Sequence, residues 1–538
     1  LRRKEKMIMA NEDEKGRVPP AEMTQFQSNI RTAGAEKEKL LQPTIQPIKP
    51  SDEKIEGKWT GALVLAIFAS CIGSAFQFGY NIGCINSPAE VIKEWYIKSH
   101  QQMFNTTLTM EAVSRVQWAI TVSSFAVGGM VGGLASGWCG DKFGRKGAMI
   151  LNNFFAVVAT LLEASAKYVG VYFLIIFGRI IIGINAGLSS ALVPMYLTEL
   201  APTNLRGTMG SFSQLTVTIA ILFSQFVGLP QIFGTAERWP LVFGFGIIPV
   251  IIQLATLPLC PESPKYSLIV KNNRNLAETD LKKLRGQEDV SAELKVMQEE
   301  ADALAAVEKV AIRSLFKGEF AWPMFIGIMM MLAQQLSGIN VAMFFSTIIF
   351  KSAGLGENAV YATLGMGFCN VVMTVVSVYL VDHPRFGRRS LLMAGLVGML
   401  LSSFGLVMSI SIYNMDKINN SFLAYPSMVL VFLFVISFAT GPGSIPWFFV
   451  SELFTSGARG SANSVAVMTN WLANTLVAVT FEFLMQVLMQ YSFLIFSVFL
   501  AFFIGFTYIF VPETKNRSVE DIYAEFKRGK SIFSRENA

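Results

Sequence analysis

Histidine is nearly absent from this chain of 538 residues: only His100 and His383 occur. Chemistry that draws on clustered imidazoles, whether catalytic or metal-binding, is thereby excluded. Cysteine is scarce as well, at five residues: Cys71, Cys84, Cys139, Cys260 and Cys369. The count is odd, and the spacing fits neither a zinc site nor a secreted disulfide framework. Buried free thiols are expected. Charge is low, with Asp, Glu, Lys and Arg at 15% of the chain, against about 25% in soluble domains. No phosphate-binding loop is present, and the Gly-x-Gly patterns fall inside apolar runs, where glycine serves packing. With no catalytic triad either, no enzyme activity, cofactor or metal is expected.

What is abundant is apolar residues, at 52%. They gather into runs of about 20, the length that crosses a hydrocarbon core. Twelve are legible, near 60–82, 117–139, 147–165, 171–195, 209–229, 240–259, 323–349, 359–381, 390–412, 425–449, 461–483 and 491–511. No alternating strand pattern occurs, and lipid satisfies no backbone groups, so each run is expected to be a helix. The fold class is an all-α membrane protein of twelve transmembrane helices.

The basic residues sort by side. Of 44 Lys and Arg, 36 fall on one side if the spans alternate from a cytosolic N-terminus. The other side holds only Lys93, Lys98, Arg115, Lys167, Arg238, Lys351 and Lys417, while Arg179 lies inside a span. The excess of positive charge inside puts both termini in the cytosol. The same spread along one rim argues against nucleic acid as a partner and leaves membrane lipid as the surroundings. Nothing in the chain specifies an oligomeric state.

Five segments follow. Residues 1–58 are a polar tail of disordered composition, too long and charged for a signal peptide. Residues 59–260 form a first six-helix bundle. Residues 261–318 are a cytosolic linker whose Ala, Leu, Glu and Lys pattern over 276–310 predicts short amphipathic helices. Residues 319–511 form a second bundle, and 512–538 a cytosolic tail. The outer loop 83–116 carries Asn105-Thr106-Thr107, a glycosylation acceptor expected to be used at Asn105. Asn419-Asn420-Ser421 is a second outer sequon, and Asn516-Arg517-Ser518 falls on the cytosolic side, where it is silent.

One cassette occurs twice. Gly144-Arg145-Lys146, Glu199-Leu200 with Arg206-Gly207, and Pro261-Glu262-Ser263-Pro264 return as Gly387-Arg388-Arg389, Glu452-Leu453 with Arg459-Gly460, and Pro512-Glu513-Thr514-Lys515. The offsets lie between 243 and 253 residues. Repetition at such a period marks duplicated halves. The stretch from Gly137 through Asp141 to Lys146 resembles the signature loop of the major facilitator superfamily. These charges lie at the membrane edge and suit a latch. Arg145, Arg388 and Arg389 are expected to pair with Glu199 and Glu452, joined by Arg206 and Arg459. The network would hold the two bundles together on the cytosolic side. One exposed pair contributes only about 0–1 kcal/mol, so the switch needs the whole set.

Longer motifs narrow the resemblance. Gln77-Phe78-Gly79-Tyr80-Asn81, Gln334-Gln335-Leu336-Ser337-Gly338-Ile339-Asn340, Gly441-Pro442-Gly443-Ser444-Ile445-Pro446-Trp447-Phe448 and Pro512-Glu513-Thr514-Lys515 resemble the facilitative glucose transporters of the sugar porter family, and among them the class I carriers. The resemblance covers about 59–528. It implies the major facilitator fold, a plasma-membrane location and a small-molecule hexose as partner. It also implies that Gln214, Gln334, Gln335, Asn340, Asn370 and Trp447 bind sugar, with Asn470 and Asn474 as further candidates.

The residue chemistry agrees. A sugar presents hydroxyls and no charge, and amide side chains both donate and accept from one group. A buried amide is costly without a partner, so several from different spans suggest a polar cavity. Trp447 offers a flat wall to C–H groups. Pro442 and Pro446 interrupt the tenth span, where the outer part can swing as a gate. Proton-coupled relatives carry an acid where Asn81 stands; an amide holds no proton, which favours downhill uniport, although Glu163 and Glu482 keep symport open. Ala439 or Thr440 stands where glucose carriers have glutamate, and Phe344 and Phe345 stand where they have tyrosines. The loop from Asp382 to Gly387 is two residues longer than the family pattern. Glucose is the expected substrate; fructose or a broad hexose range, a proton-coupled sugar or polyol carrier, and a non-transporting sugar receptor are the alternatives.

Overall fold

The computed structural model describes residues 58–202, 205–306, 310–416, 421–515, 517 and 519–527. The N-terminal tail and the sequons at Asn419 and Asn516 lie outside them.

Among the described residues, twelve helices are long and apolar enough to span a membrane. In chain order they are span 1 Gly61–Gly83, span 2 Met110–Phe143, span 3 Arg145–Val169, span 4 Phe173–Leu200, span 5 Met209–Val227 and span 6 Trp239–Leu259. The second half holds span 7 Gly318–Ser352, span 8 Gly356–Val381, span 9 Arg388–Met415, span 10 Ala424–Leu453, span 11 Gly457–Met485 and span 12 Met489–Phe510. Every apolar run of the sequence corresponds to one of these spans. Within the first half, spans 1 and 5, 2 and 4, and 3 and 4 pack side by side. Within the second, spans 7 and 11, 9 and 10, and 9 and 12 do so. Spans 2 with 11 and 5 with 8 join the halves.

Several spans are irregular, among them spans 1, 7 and 10. Span 10 breaks between Thr440 and Ile445, as the prolines predict. Span 7 also breaks, between Leu336 and Ile339, which the apolar run did not reveal. Gly338 has φ +88° and its Cα faces the Phe496 ring. That left-handed backbone is open to glycine and strained for a residue with a Cβ. Span 1 widens into a π-helical turn at Cys71–Ala75, where Gly73 leaves room for Gln253 of span 6.

Outside the spans, the segment after span 1 is more ordered than a loop. Ala89–Phe104 is a helix that buries Ala89, Ile92, Lys93, Tyr96 and Ser99 along one face. It ends at Asn105, which is exposed in the left-handed region at φ 54°. Asparagine is one of the few residues that tolerates that conformation as a helix stop.

The linker forms helices at Arg274–Arg285 and Ser291–Ala306. They close over a small core of Leu268, Ala277, Leu281, Val290, Leu294 and Met297. Arg285 fixes this unit to span 4. It pairs with Glu293 at 2.6 Å and donates to the Leu200 carbonyl at 2.9 Å.

Candidate functional site

Four of the seven predicted sugar-site residues meet in one hydrogen-bonded chain. Gln334 donates to the carbonyls of Pro442 and Gly443 at 3.0 and 2.8 Å. Its Oε1 accepts from Asn470 at 2.6 Å and from Gln335 at 3.3 Å. Gln335 also donates to Asn470 Oδ1 at 2.9 Å, and its own Oε1 accepts from Asn340. The break in span 7 makes this possible. Asn340 opens the helix after Gly338, so its amide can fold back on Gln335. The chain links spans 7, 10 and 11 and holds no carboxylate. Its amides bond one another, and each is a neutral donor and acceptor that a hydroxyl can replace.

The remaining three stand apart. Gln214 on span 5 is half-buried and Asn370 on span 8 is buried. Trp447 lies just past the span 10 break, partly buried against the main core. Among the described residues, none of the three makes a side-chain hydrogen bond with the amide chain. Asn474, one turn along span 11 from Asn470, is buried with Oδ1 unpartnered. Phe344 and Phe345 are buried, and Phe345 packs on Phe481 with ring centroids 5.0 Å apart. Ala439 is buried at the end of the helix preceding the break.

Asn81 is buried in span 1 and donates to the Gln77 carbonyl at 2.9 Å. Its own carbonyl accepts from Arg179 of span 4 at 2.9 Å. The Arg179 guanidinium also lies over Phe125, 4.5 Å from the ring centroid. Glu163, in span 3, is buried with Oε1 unpartnered.

The paired charges differ from the expected latch. We name the side carrying both Gly-Arg clusters the basic face. Arg145 grips Glu199 with two nitrogens, both at 3.0 Å, and also reaches Asp141 at 3.4 Å. Arg388 lies 3.6 Å from Glu452. Each pair therefore joins neighbouring spans of one half, 3 with 4 and 9 with 10. Neither crosses between halves, contrary to the expected inter-bundle latch. The reason is local satisfaction. Ser263 donates to Glu199 and Thr514 donates to Glu452, so each carboxylate finds partners within its own half. The Pro-Glu-Ser and Pro-Glu-Thr glutamates do matching work, capping the exposed N–H groups at the start of spans 3 and 9. Glu262 accepts from Lys146 N at 3.1 Å, and Glu513 from Arg388 N at 2.9 Å. Arg389 meets neither Glu199 nor Glu452: it donates to the Tyr508 carbonyl at 2.5 Å and stacks on that ring. Arg459 is exposed and donates to the Phe454 carbonyl at 3.3 Å. The Arg206 side chain lies outside the described residues.

Among the described residues, three sets of side-chain hydrogen bonds and ion pairs between spans of the two halves lie on the opposite face. Asn86 donates to Met343 O at 3.0 Å and Ser346 Oγ at 2.6 Å. Lys351 pairs with Glu90 at 2.6 Å. Gln231 donates to the Tyr361 hydroxyl at 2.5 Å. Sequence reasoning missed all three, and it missed Trp471, whose ring crosses from span 11 into the first half. No local signal marks pairs that lie more than 100 residues apart. These contacts join the two halves at the opposite face.

Comparison with known proteins places this arrangement. Residues 66–526 match the family model described as sugar (and other) transporter. The chain is 55% identical over 504 residues to facilitated glucose transporter protein 1 of Caenorhabditis elegans, covering 94% of this chain and 96% of that one. It is 40% identical over 481 residues to human solute carrier family 2, facilitated glucose transporter member 4, covering 89% and 93%. Among solved structures it resembles the inward-open conformation of the E. coli xylose transporter XylE, with TM-score 0.69 and 26% identity, covering 86% and 99%. It also resembles that major facilitator superfamily protein described as a proton:xylose symporter bound to 6-bromo-6-deoxy-D-glucose, with TM-score 0.68 and 25% identity, covering 86% and 99%. The twelve-span fold is that of the major facilitator superfamily, and the chain belongs to the sugar (and other) transporter family.

Proposed function

We propose that the protein carries hexose, D-glucose first, across the plasma membrane down its gradient. It does so by alternating access between the halves 59–260 and 319–511, with both termini in the cytosol. The observation that carries this reading is the neutral amide chain of Gln334, Gln335, Asn340 and Asn470, anchored on the broken tenth span. It offers donors and acceptors at the same points and no charge, which suits an uncharged polyhydroxyl ligand. Gln214, Asn370 and Trp447 complete the site from other helices as the halves move. Two relatives named as facilitated glucose transporters, at 55% and 40% identity, support the substrate. Asn81 supports uniport, because an amide in that position cannot carry a proton.

A second reading concerns breadth. Ala439 and the Phe344-Phe345 pair supply no hydroxyl or carboxylate, so selectivity for one hexose rests on fewer polar contacts. One lost hydrogen bond weakens discrimination by about 1 kcal/mol. Fructose is the first competitor to try.

Uptake of radiolabelled 2-deoxyglucose in hexose-transport-deficient cells, with and without a protonophore, tests the proposal in wild type and Gln335→Ala. Saturable uptake that ignores the protonophore and fails in the variant supports it. Uptake that collapses with the proton gradient overturns uniport. No uptake of glucose or fructose by protein at the surface overturns hexose transport.

A further inference from the structure

Span 2 contains Gly128-Gly129-Met130-Val131-Gly132-Gly133, two glycine pairs one helical turn apart. The pairs face two ways. A methyl on Gly128 or Gly132 would overlap the Ile180 or Ile184 carbonyl of span 4. Gly183 and Gly187 of span 4 meet the carbonyls of Phe125 and Gly129 in the same manner. On this side two backbones touch, as small residues allow in membranes, and spans 2 and 4 form one body.

The other side faces span 11. A methyl on Gly129 would overlap the six-membered ring of Trp471. One on Gly133 would come within 3.0 Å of Val467 and 3.4 Å of Trp471. Glycine thus hollows a notch in span 2, and the indole fills it. Phe78 of span 1 and Phe125 of span 2 flank the ring, with centroids at 5.8 and 6.1 Å. Trp471 is 3% exposed. It shares a core cluster with Phe125, Ala156, Ile182 and Val250, from spans 2, 3, 4 and 6, so a second-half side chain is packed inside the first half. Its Nε1 is buried and unpartnered. Shape alone holds the ring, with no directional bond tying it to one setting.

The neighbour in the chain is Asn470, which completes the amide chain with Gln334 and Gln335. Successive helix positions point about 100° apart, so one turn of span 11 faces the first half through Trp471 and span 7 through Asn470. We propose that Trp471, seated in the Gly129–Gly133 notch, is a positioning residue that sets Asn470 against Gln334 and Gln335 and guides span 11 along span 2 during transport. This rests on the hexose-transport reading.

The test is an exchange of volume. Gly129→Leu fills the notch and Trp471→Val empties it; the double variant moves bulk from one span to the other. Purified proteins are compared in vesicles for 2-deoxyglucose uptake and in detergent for melting temperature. Each single variant is expected to lose uptake by roughly tenfold, as overpacking and cavities do. The double variant is expected to regain roughly half of wild-type uptake. Full uptake in Gly129→Leu overturns the proposal. So does a double variant whose melting temperature recovers while uptake does not, because the notch then serves packing alone.

A second readout does not need hexose. Spin labels on Lys142→Cys and Gly460→Cys, with Cys139 and Cys369 replaced by serine, report the distance between spans 2 and 11 at the basic face. The distribution must shift in Gly129→Leu and return in the exchange; an unmoved distribution overturns the notch. Wild type that carries no hexose yet passes this readout sinks the substrate reading and leaves the notch standing.

Discussion

Gln334 holds the broken end of the tenth span, donating 2.8 Å to the carbonyl of Gly443 and 3.0 Å to that of Pro442. Breaking a helix frees carbonyls, and a freed carbonyl inside a membrane needs a donor. Gln334 supplies two. The same side chain accepts from Asn470 and Gln335, so the amide chain and the backbone of the span 10 break share one residue.

Gln334→Met keeps the length and removes every polar atom. It strands two carbonyls and removes the acceptor that Gln335 and Asn470 share. Each buried unsatisfied group costs about 1–3 kcal/mol. Gln334→Met is expected to lower the melting temperature by several degrees and to cut hexose uptake more than Gln335→Ala does. Thermal unfolding of the purified protein beside uptake checks it. Unchanged stability would mean that the span 10 carbonyls do not depend on this amide.

The duplicated cassette makes a comparison within one molecule. The Arg145–Glu199 pair is bidentate, with side chains 11% and 16% exposed. The Arg388–Glu452 contact is 3.6 Å, and Glu452 is 31% exposed. Burial strengthens a charge pair and raises the cost of stranding one partner. Glu199→Gln is therefore expected to destabilise the protein by more than about 1 kcal/mol, and Glu452→Gln by less than that, near the surface-pair range. Melting temperatures at low and high salt separate the two. Equal losses in both variants would refute the asymmetry.

Much of this was legible in the sequence, for physical reasons. The spans were readable because a membrane allows few alternatives to a 20-residue apolar helix. The span 10 break was readable because proline cannot continue a helix. The span 7 break was not, although Gly338 was in plain view, because glycine inside a span is ordinary and its φ of +88° is a tertiary fact. The cassette is plain from its repetition, but repetition does not say whether its charges pair within a half or between halves. Ser263 and Thr514 sit inside the repeated motif, and their hydroxyls complete the carboxylates locally. The helix Ala89–Phe104 is not legible in the sequence because its buried face includes Lys93 and Ser99, which blur its periodicity. The amides were legible as a set, but which of them would meet was not: Gln214 and Asn370 lie on spans 5 and 8, away from the chain that formed.

The opposite-face ties lead to the last prediction. Glu90 and Lys351 pair at 2.6 Å across the halves, with side chains 56% and 34% exposed. Such a pair is worth about 0–1 kcal/mol, enough to shift the balance between open and closed by up to about fivefold. The buried Asn86–Ser346 contact beside it, at 2.6 Å, is worth about as much again. Lys351→Glu sets two carboxylates together and should open this face more often. Labelling of a cysteine placed at Thr347, buried beneath the pair, should then speed up by a few fold at low salt, with less change at high salt, where screening weakens both attraction and repulsion. Adding Glu90→Lys to Lys351→Glu restores opposite charges with the polarity reversed, and labelling should return towards the wild-type rate. A double variant that labels as fast as Lys351→Glu alone would show that the charges touch without holding the face shut, leaving closure to Asn86 and to the packing of spans 1 and 7.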